Sequence, residues 1–221
     1  MTVINIVLCL VQIVIFSWIV GRLTHTIGYY TFATESNMPT HHVGEIFFTS
    51  NLKKPDYNRF VCFKNEATKN SIYIFRVIGK PNDVIEIRDG YVYRNGSKLN
   101  EPFTWNQYQL SAEEYQRIAG FVEKNHNQLD EIGNNYMVSL TDGELQQYHL
   151  TMARYAAFKG KETDYIYPDF KAKGYNADNF GPVKIPAGSY FLLGDNRHNA
   201  LDSRYFGFVK AEEILGVKLG D

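Results

Sequence analysis

From Thr2 to Val20 the chain carries no Asp, Glu, Lys or Arg; Val, Ile, Leu and Phe dominate, with Trp18 among them, and Asn5 and Gln12 are the strongly polar exceptions. About 20 apolar residues wound as a helix match the hydrocarbon thickness of a bilayer. No other stretch limits the chain so much, because everything after it must fold beside a membrane if the run stays attached. A cleaved signal peptide would need a basic leading segment, a shorter apolar stretch and a small-residue cleavage site, all poorly met here. A buried core helix is the other alternative. The expectation is an uncleaved anchor over residues 2–22. Arg22 follows the run and no Lys or Arg precedes it, so the positive-inside rule favours a cytoplasmic C-terminal part on the strength of one residue.

A chain of 221 residues can bury one good core, or one core carrying a smaller insert. Its 23 Lys and Arg balance 24 Asp and Glu, leaving a formal charge of -1 and no polycationic face for a nucleic-acid partner. Cys9 sits in the apolar run and Cys62 in an expected strand, so no disulfide is expected between them. No Cys-X-X-Cys or His-Glu-X-X-His spacing calls for a metal, and no cofactor is expected.

Beyond the anchor, strand-like segments dominate. Tyr29 to Ala33 reads as extended, and Gly44 to Thr49, Phe60 to Phe63, Ser71 to Gly79 and Val84 to Ile87 are β-branched and aromatic. Asp89-Gly90 and Asn95-Gly96 occupy tight hairpin positions around Tyr91 to Arg94, giving an antiparallel meander. The character changes after Phe103. Ser111 with Glu114, and Thr141 with Glu144, are capping-box patterns. Tyr115, Ile118, Ala119 and Val122 follow the first at helical spacing, and Leu145, Tyr148, Met152 and Tyr155 the second, with Gly160 as an expected stop. Strand-like sequence returns at Ser189 to Leu193. The expected division is therefore a β domain over 23–103 and 176–221, interrupted by a helix-containing insert over 104–175.

Two polar stretches stand out against this background. Ser36-Asn37-Met38-Pro39-Thr40 is a short turn just beyond the apolar run, and a serine close to a proline is a rigid mount for a nucleophile as well as an ordinary turn. Gly194 to Gly207, reading Gly-Asp-Asn-Arg-His-Asn-Ala-Leu-Asp-Ser-Arg-Tyr-Phe-Gly, packs charge directly behind the apolar Tyr190 to Leu193. Acyl transfer needs a nucleophile, a base, a group that orients the base and donors for the oxyanion. Ser36 can supply the first.

An anchored β-rich chain with Ser-X-X-Pro-Thr, then Arg-Val-Ile-Gly-X-Pro-X-Asp, then Gly-Asp-Asn-Arg and Asp-Ser-Arg resembles the type I signal peptidase family, serine/lysine-dyad enzymes of the S26 type. The match covers Ser36 to Thr40, Tyr73 to Glu86, the hairpins through Pro102, and Tyr175 to Gly207, leaving the insert aside. The resemblance implies a mainly β, antiparallel, barrel-like catalytic domain outside the cytoplasmic membrane, overriding the charge argument on orientation. It implies signal-peptide-bearing precursor proteins as substrates, and membrane lipid around the N-terminal helix. Ser36 matches the nucleophile, whose own N–H serves the oxyanion, and Thr34 a position whose hydroxyl helps in some members. Arg76 matches the arginine that follows the base, and Asp195, Arg197, Asp202 and Arg204 match a polar network that buttresses the site.

Three positions depart from that pattern. Phe75 stands where the family has its lysine base, Ala200 where it has the serine that orients the lysine, and Asn37 where it usually has methionine. A phenyl ring cannot accept a proton, and losing a general base removes about 10²- to 10⁴-fold in rate. Lys80 is a possible substitute, although it lies on the order of 15 Å beyond Phe75 along an extended chain. His41, His42 and His198 are others, since histidine titrates in the useful range. Two functions stay open: a membrane-anchored signal peptidase working slowly or through a displaced base, and an inactive relative that binds extended apolar peptides as an added strand.

Overall fold

A computed structural model of the chain describes residues 3–64, 69, 71–125, 127–158 and 166–220. The apolar run forms α1 (Val3–Leu23), with a mean hydropathy of 2.7, long and apolar enough to cross a membrane. Its exit is tied to the strands that follow. Arg22 Nη1 donates to Tyr29 O at 3.0 Å, and Asn51 Nδ2 donates to Thr24 O at 2.8 Å.

The protein is mainly β. In chain order come β1 (Gly28–Thr31), β2 (Ile46–Ser50), β3 (Phe60–Phe63), β4 (Tyr73–Gly79), β5 (Val84–Arg88), β6 (Tyr91–Arg94) and β7 (Ser97–Lys98). Next come β8 (Asn106–Ser111), α2 (Ala112–Asn125), β9 (Leu129–Ile132), β10 (Asn135–Leu140) and α3 (Asp142–Gln147). After these follow α4 (Pro168–Lys171), β11 (Phe180–Lys184), β12 (Ser189–Leu193), α5 (Ser203–Phe206), β13 (Val209–Lys210) and β14 (Ile214–Lys218). A seven-stranded sheet runs β1-β2-β14-β3-β4-β12-β13, and a four-stranded one β11-β5-β6-β7, with every ladder antiparallel.

The hairpin expectations hold for a local reason. Asp89 and Gly90 have φ of 48° and 77°, and Asn95 and Gly96 have 53° and 81°, the turn geometry whose twist matches that of the flanking strands. The apolar faces of the two sheets meet at Ile78, Ile85, Phe180 and Phe191, while Val61, Phe63, Phe75, Val77 and Leu192 form an adjoining core. Ile166 and Phe170, late in the span expected as an insert, pack into the first of these cores.

Residues 104–158 hold more than helices. β8, β10 and β9 form a third antiparallel sheet, with Tyr108, Leu110, Val138 and Leu140 buried against Tyr115, Ile118 and Val122 of α2. Both capping boxes form: Ser111 N donates to Glu114 Oε2 at 2.8 Å, and Thr141 N to Glu144 Oε2 at 2.7 Å. The second helix is shorter than its apolar spacing predicts. It ends at Gln147, His149 adopts φ of 52°, and Leu150 N closes back on Leu145 O at 2.9 Å. Tyr155 instead lies on an extended return, its N–H donating to Gln107 O at 2.8 Å. Gly160, the expected stop, falls outside the described residues.

Candidate functional site

Ser36 is the middle residue of a single helical turn, Glu35–Asn37, capped by Thr34. Thr34 Oγ1 lies 2.9 Å from Ser36 Oγ and 3.5 Å from Ser36 N, so one hydroxyl faces both the hydroxyl and the amide of the serine. The turn is stitched to the Gly194–Ala200 loop: Asn196 N donates to Ser36 O at 3.0 Å, and Asn196 Nδ2 to Glu35 O at 3.3 Å.

Phe75, Ala200 and Ser36 converge on Gly194. A Cβ at that glycine would sit 2.4 Å from Ala200 Cβ, 2.6 Å from Ser36 O and 3.1 Å from Phe75 Cε1, so the position requires a residue with no side chain. All three line one cleft of about 540 Å³ together with Thr34, Asn37, Tyr73, Ile74 and His198. Phe75 itself is 2% exposed, among Phe63, Tyr73 and Phe206. The surroundings of Phe75 are thus aromatic and almost closed to solvent.

Beneath the cleft lie the ion pairs. Arg76 Nε and Nη2 reach Asp195 at 2.7 and 2.5 Å, and Thr40 Oγ1 donates to the same carboxylate. Arg204 Nε and Nη2 reach Asp202 at 2.8 Å each, with both side chains almost wholly buried. Burial opposes the Arg204 charge, but Asp202 raises its pKa above the usual arginine range. Arg197 pairs bidentately with Glu101 at 2.9 and 2.7 Å. Sequence reasoning missed Glu101, which sits in the hairpin region with no motif around it.

None of the four alternative bases hydrogen bonds to Ser36, whose Oγ has Thr34 as its partner among the described residues. Lys80 Nζ pairs with Asp56 at 2.9 Å over the Tyr57 ring, and that hydrogen bond raises its pKa, the wrong direction for a base. His41 is buried, stacked on Phe32 at 4.3 Å with Nδ1 2.8 Å from Glu45; burial lowers its pKa and Glu45 pulls it back up in part. His42 is exposed, and its N–H turns to Glu45. His198 is nearly buried, with Nε2 3.1 Å from Asp178 Oδ1. That is ion-pair range without hydrogen-bond alignment, and both ring nitrogens are shielded from solvent. Burial would raise the Asp178 pKa, but His198 and the Ala157 N–H hold it below the usual carboxylate value.

Fold and cleft together define a β-rich protein with a curled antiparallel sheet and a serine hydroxyl presented on a tight turn at the mouth of its cleft. The family described as "Signal peptidase, peptidase S26" matches residues 3–219, and the chain belongs to that family. Similar proteins include signal peptidase I T of Bacillus subtilis (28% identical over 189 residues, 82% of this chain and 66% of that one) and signal peptidase IB of Staphylococcus aureus (29% over 206 residues, 90% and 78%). A signal peptidase I of Buchnera aphidicola is 27% identical over 172 residues, 74% of this chain and 52% of the relative. The chain therefore spans about two thirds of the length of the Bacillus subtilis relative and about half that of the Buchnera one. A crystal structure of a signal peptidase I from Enterococcus faecalis aligns with a TM-score of 0.38 at 24% identity, over 75% of this chain and 97% of that one.

Proposed function

We propose that this chain is a membrane-anchored signal peptidase relative that receives the signal peptides of exported precursors as an extended strand in the Ser36 cleft, with hydrolysis there slow or absent. The observation that carries the second half is the buried Phe75 ring beside a serine whose hydroxyl partner is another hydroxyl. A serine hydroxyl at neutral pH is a poor nucleophile without a group to take its proton. The docking half rests on two facing strand edges. β12 pairs with β4 at Arg76, Val77 and Gly79, which leaves Tyr73 to Phe75 without a strand on that side among the described residues. Across the cleft, Thr31 to Thr34 continue β1, the outermost strand of the large sheet. An extended peptide fits between two such edges by strand addition. In this reading α1 lies in the cytoplasmic membrane, lipid surrounds it, and the β domain is on the extracytoplasmic side.

Active turnover by this chain, as in the enzymes its relatives are named for, is the second reading, and family membership favours it. The test is incubation of the full-length protein in detergent with a precursor carrying a signal peptide, beside Ser36→Ala. We expect the precursor to be bound by both, with at most slow cleavage by the native protein that Ser36→Ala removes. Cleavage that Ser36→Ala abolishes, at a rate ordinary for a peptidase, would replace the binding reading with the enzymatic one.

A further inference from the structure

Building on the peptide-cleft reading, we propose that Asn37 is an affinity-limiting plug of this cleft: its carboxamide occupies the β4 carbonyl that a docked strand would otherwise use. Along a strand, successive N–H and C=O pairs point to opposite sides. Val77 is bonded on the β3 side, through Val77 N to Arg59 O at 2.9 Å and Asn58 N to Val77 O at 2.9 Å. Two and three positions back, Phe75 points the same way and Ile74 the other way, into the cleft. Asn37 Nδ2 meets the Ile74 carbonyl there, at 2.8 Å.

On the facing wall, Phe32 is bonded to the β2 side through Phe32 N to Glu45 O and Gly44 N to Phe32 O, so Thr31 and Ala33 turn their backbone groups outward. Among the described residues the outward-facing groups on the Ala33 wall have no backbone partner and can pair with a peptide, whereas on the opposite wall the Ile74 carbonyl already holds a donor.

The carboxamide is costly where it stands. Asn37 is 3% exposed, and its Oδ1 has no hydrogen-bond partner among the described residues. An unsatisfied buried acceptor carries a desolvation cost that an apolar residue of the same size would avoid. The Nδ2 contact explains the residue: the Ile74 carbonyl, half-buried where β12 has diverged, needs a donor when no peptide is present. A docked strand must displace that donor or go without the bond, so Asn37 sets a threshold at the residue beside Phe75.

The experiment measures binding of an extended apolar signal-peptide segment to the native protein, Asn37→Leu, which keeps the volume without the donor, and Asn37→Ala, in detergent, with folding checked by thermal melting. Freeing one carbonyl for a hydrogen bond should tighten binding by about five- to tenfold in either folded variant. A set of peptides each N-methylated at one backbone position separates competition from a change in packing. One position should lose the gain on Asn37→Leu and make no difference to the native protein. Equal or weaker binding by both variants, or identical N-methyl profiles, would overturn the plug while leaving peptide binding intact. Failure of every protein to bind the peptide would overturn the peptide-cleft reading and the plug with it.

Discussion

Converting Phe75 to lysine and Ala200 to serine together should create Ser36-dependent cleavage of a precursor. The site already meets the first need of a lysine base, an environment that disfavours the ammonium. Phe75 is 2% exposed, with ring centroids of Tyr73, Phe63 and Phe206 at 5.9, 6.2 and 6.4 Å. Lowering a lysine from about 10.4 to about 8 costs roughly 3 kcal/mol of stability, and deep burial reaches shifts of that size. Lost aromatic packing adds part of the ~3–5 kcal/mol seen when a core Phe is truncated, offset by the lysine stem. The sum is a large share of an ordinary stability of about 5–15 kcal/mol, so circular dichroism and a melting curve must precede any rate measurement. In a folded double variant the base should return about 10²- to 10⁴-fold over the native rate, with each single variant recovering less, because Phe75→Lys lacks the hydroxyl that aims it and Ala200→Ser lacks the base. The rate should rise with pH through the lysine pKa, since the neutral amine is the active form. Ser36→Ala in the same background is the blank. A folded double variant without Ser36-dependent cleavage would refute the argument that the scaffold still holds Ser36 correctly.

Asp202→Ala should lower stability by about 3–5 kcal/mol, because it strands the buried Arg204 guanidinium; a melting temperature within a degree or two of native would contradict this. Arg154→Ala should loosen the insert against the β domain, because Arg154 reaches Asp142 at 2.7 and 2.9 Å and Gly90 O at 3.1 Å. Hydrogen exchange should speed up around residues 89–91 and 141–145 and stay slow in β3 and β4, and uniform acceleration would count against a separable insert. Acid should destabilise the fold in two stages. His41 has its pKa lowered by burial, so below about 6.5 the unfolded chain takes the proton first and stability falls with pH; Asp142 and Asp178, held below the usual carboxylate value by their partners, add a further loss under about pH 4. Melting curves at pH 7.5 and 5.5 check the first stage, and His41→Phe should narrow the gap between them.

What could be read from the sequence was set within a few residues along the chain. The apolar run up to Val20, the paired positive φ at Asp89-Gly90 and Asn95-Gly96, and the caps at Ser111 and Thr141 each depend on local geometry or composition, and each formed. Asn106 to Ser111 carries a period-2 pattern, with Tyr108 and Leu110 buried, that was legible but overshadowed by the helix signal behind it. The second helix shows the limit of spacing. Tyr148, Met152 and Tyr155 fit a helical face, yet Tyr155 pairs with Gln107 and Arg154 with Asp142 and Gly90, and those distant partners draw the chain out straight after Gln147. At the site, the apolar residues at positions 75 and 200 stood in plain view, but three contacts had no local signal. Glu101 under Arg197, Asp178 against His198 and the Ile74 carbonyl on Asn37 join residues 96, 20 and 37 positions apart. None of these follows from neighbours along the chain; the fold makes them, as where the continuation of β1 and the turn behind it come to face the unpaired half of β4 and set Asn37 on the Ile74 carbonyl.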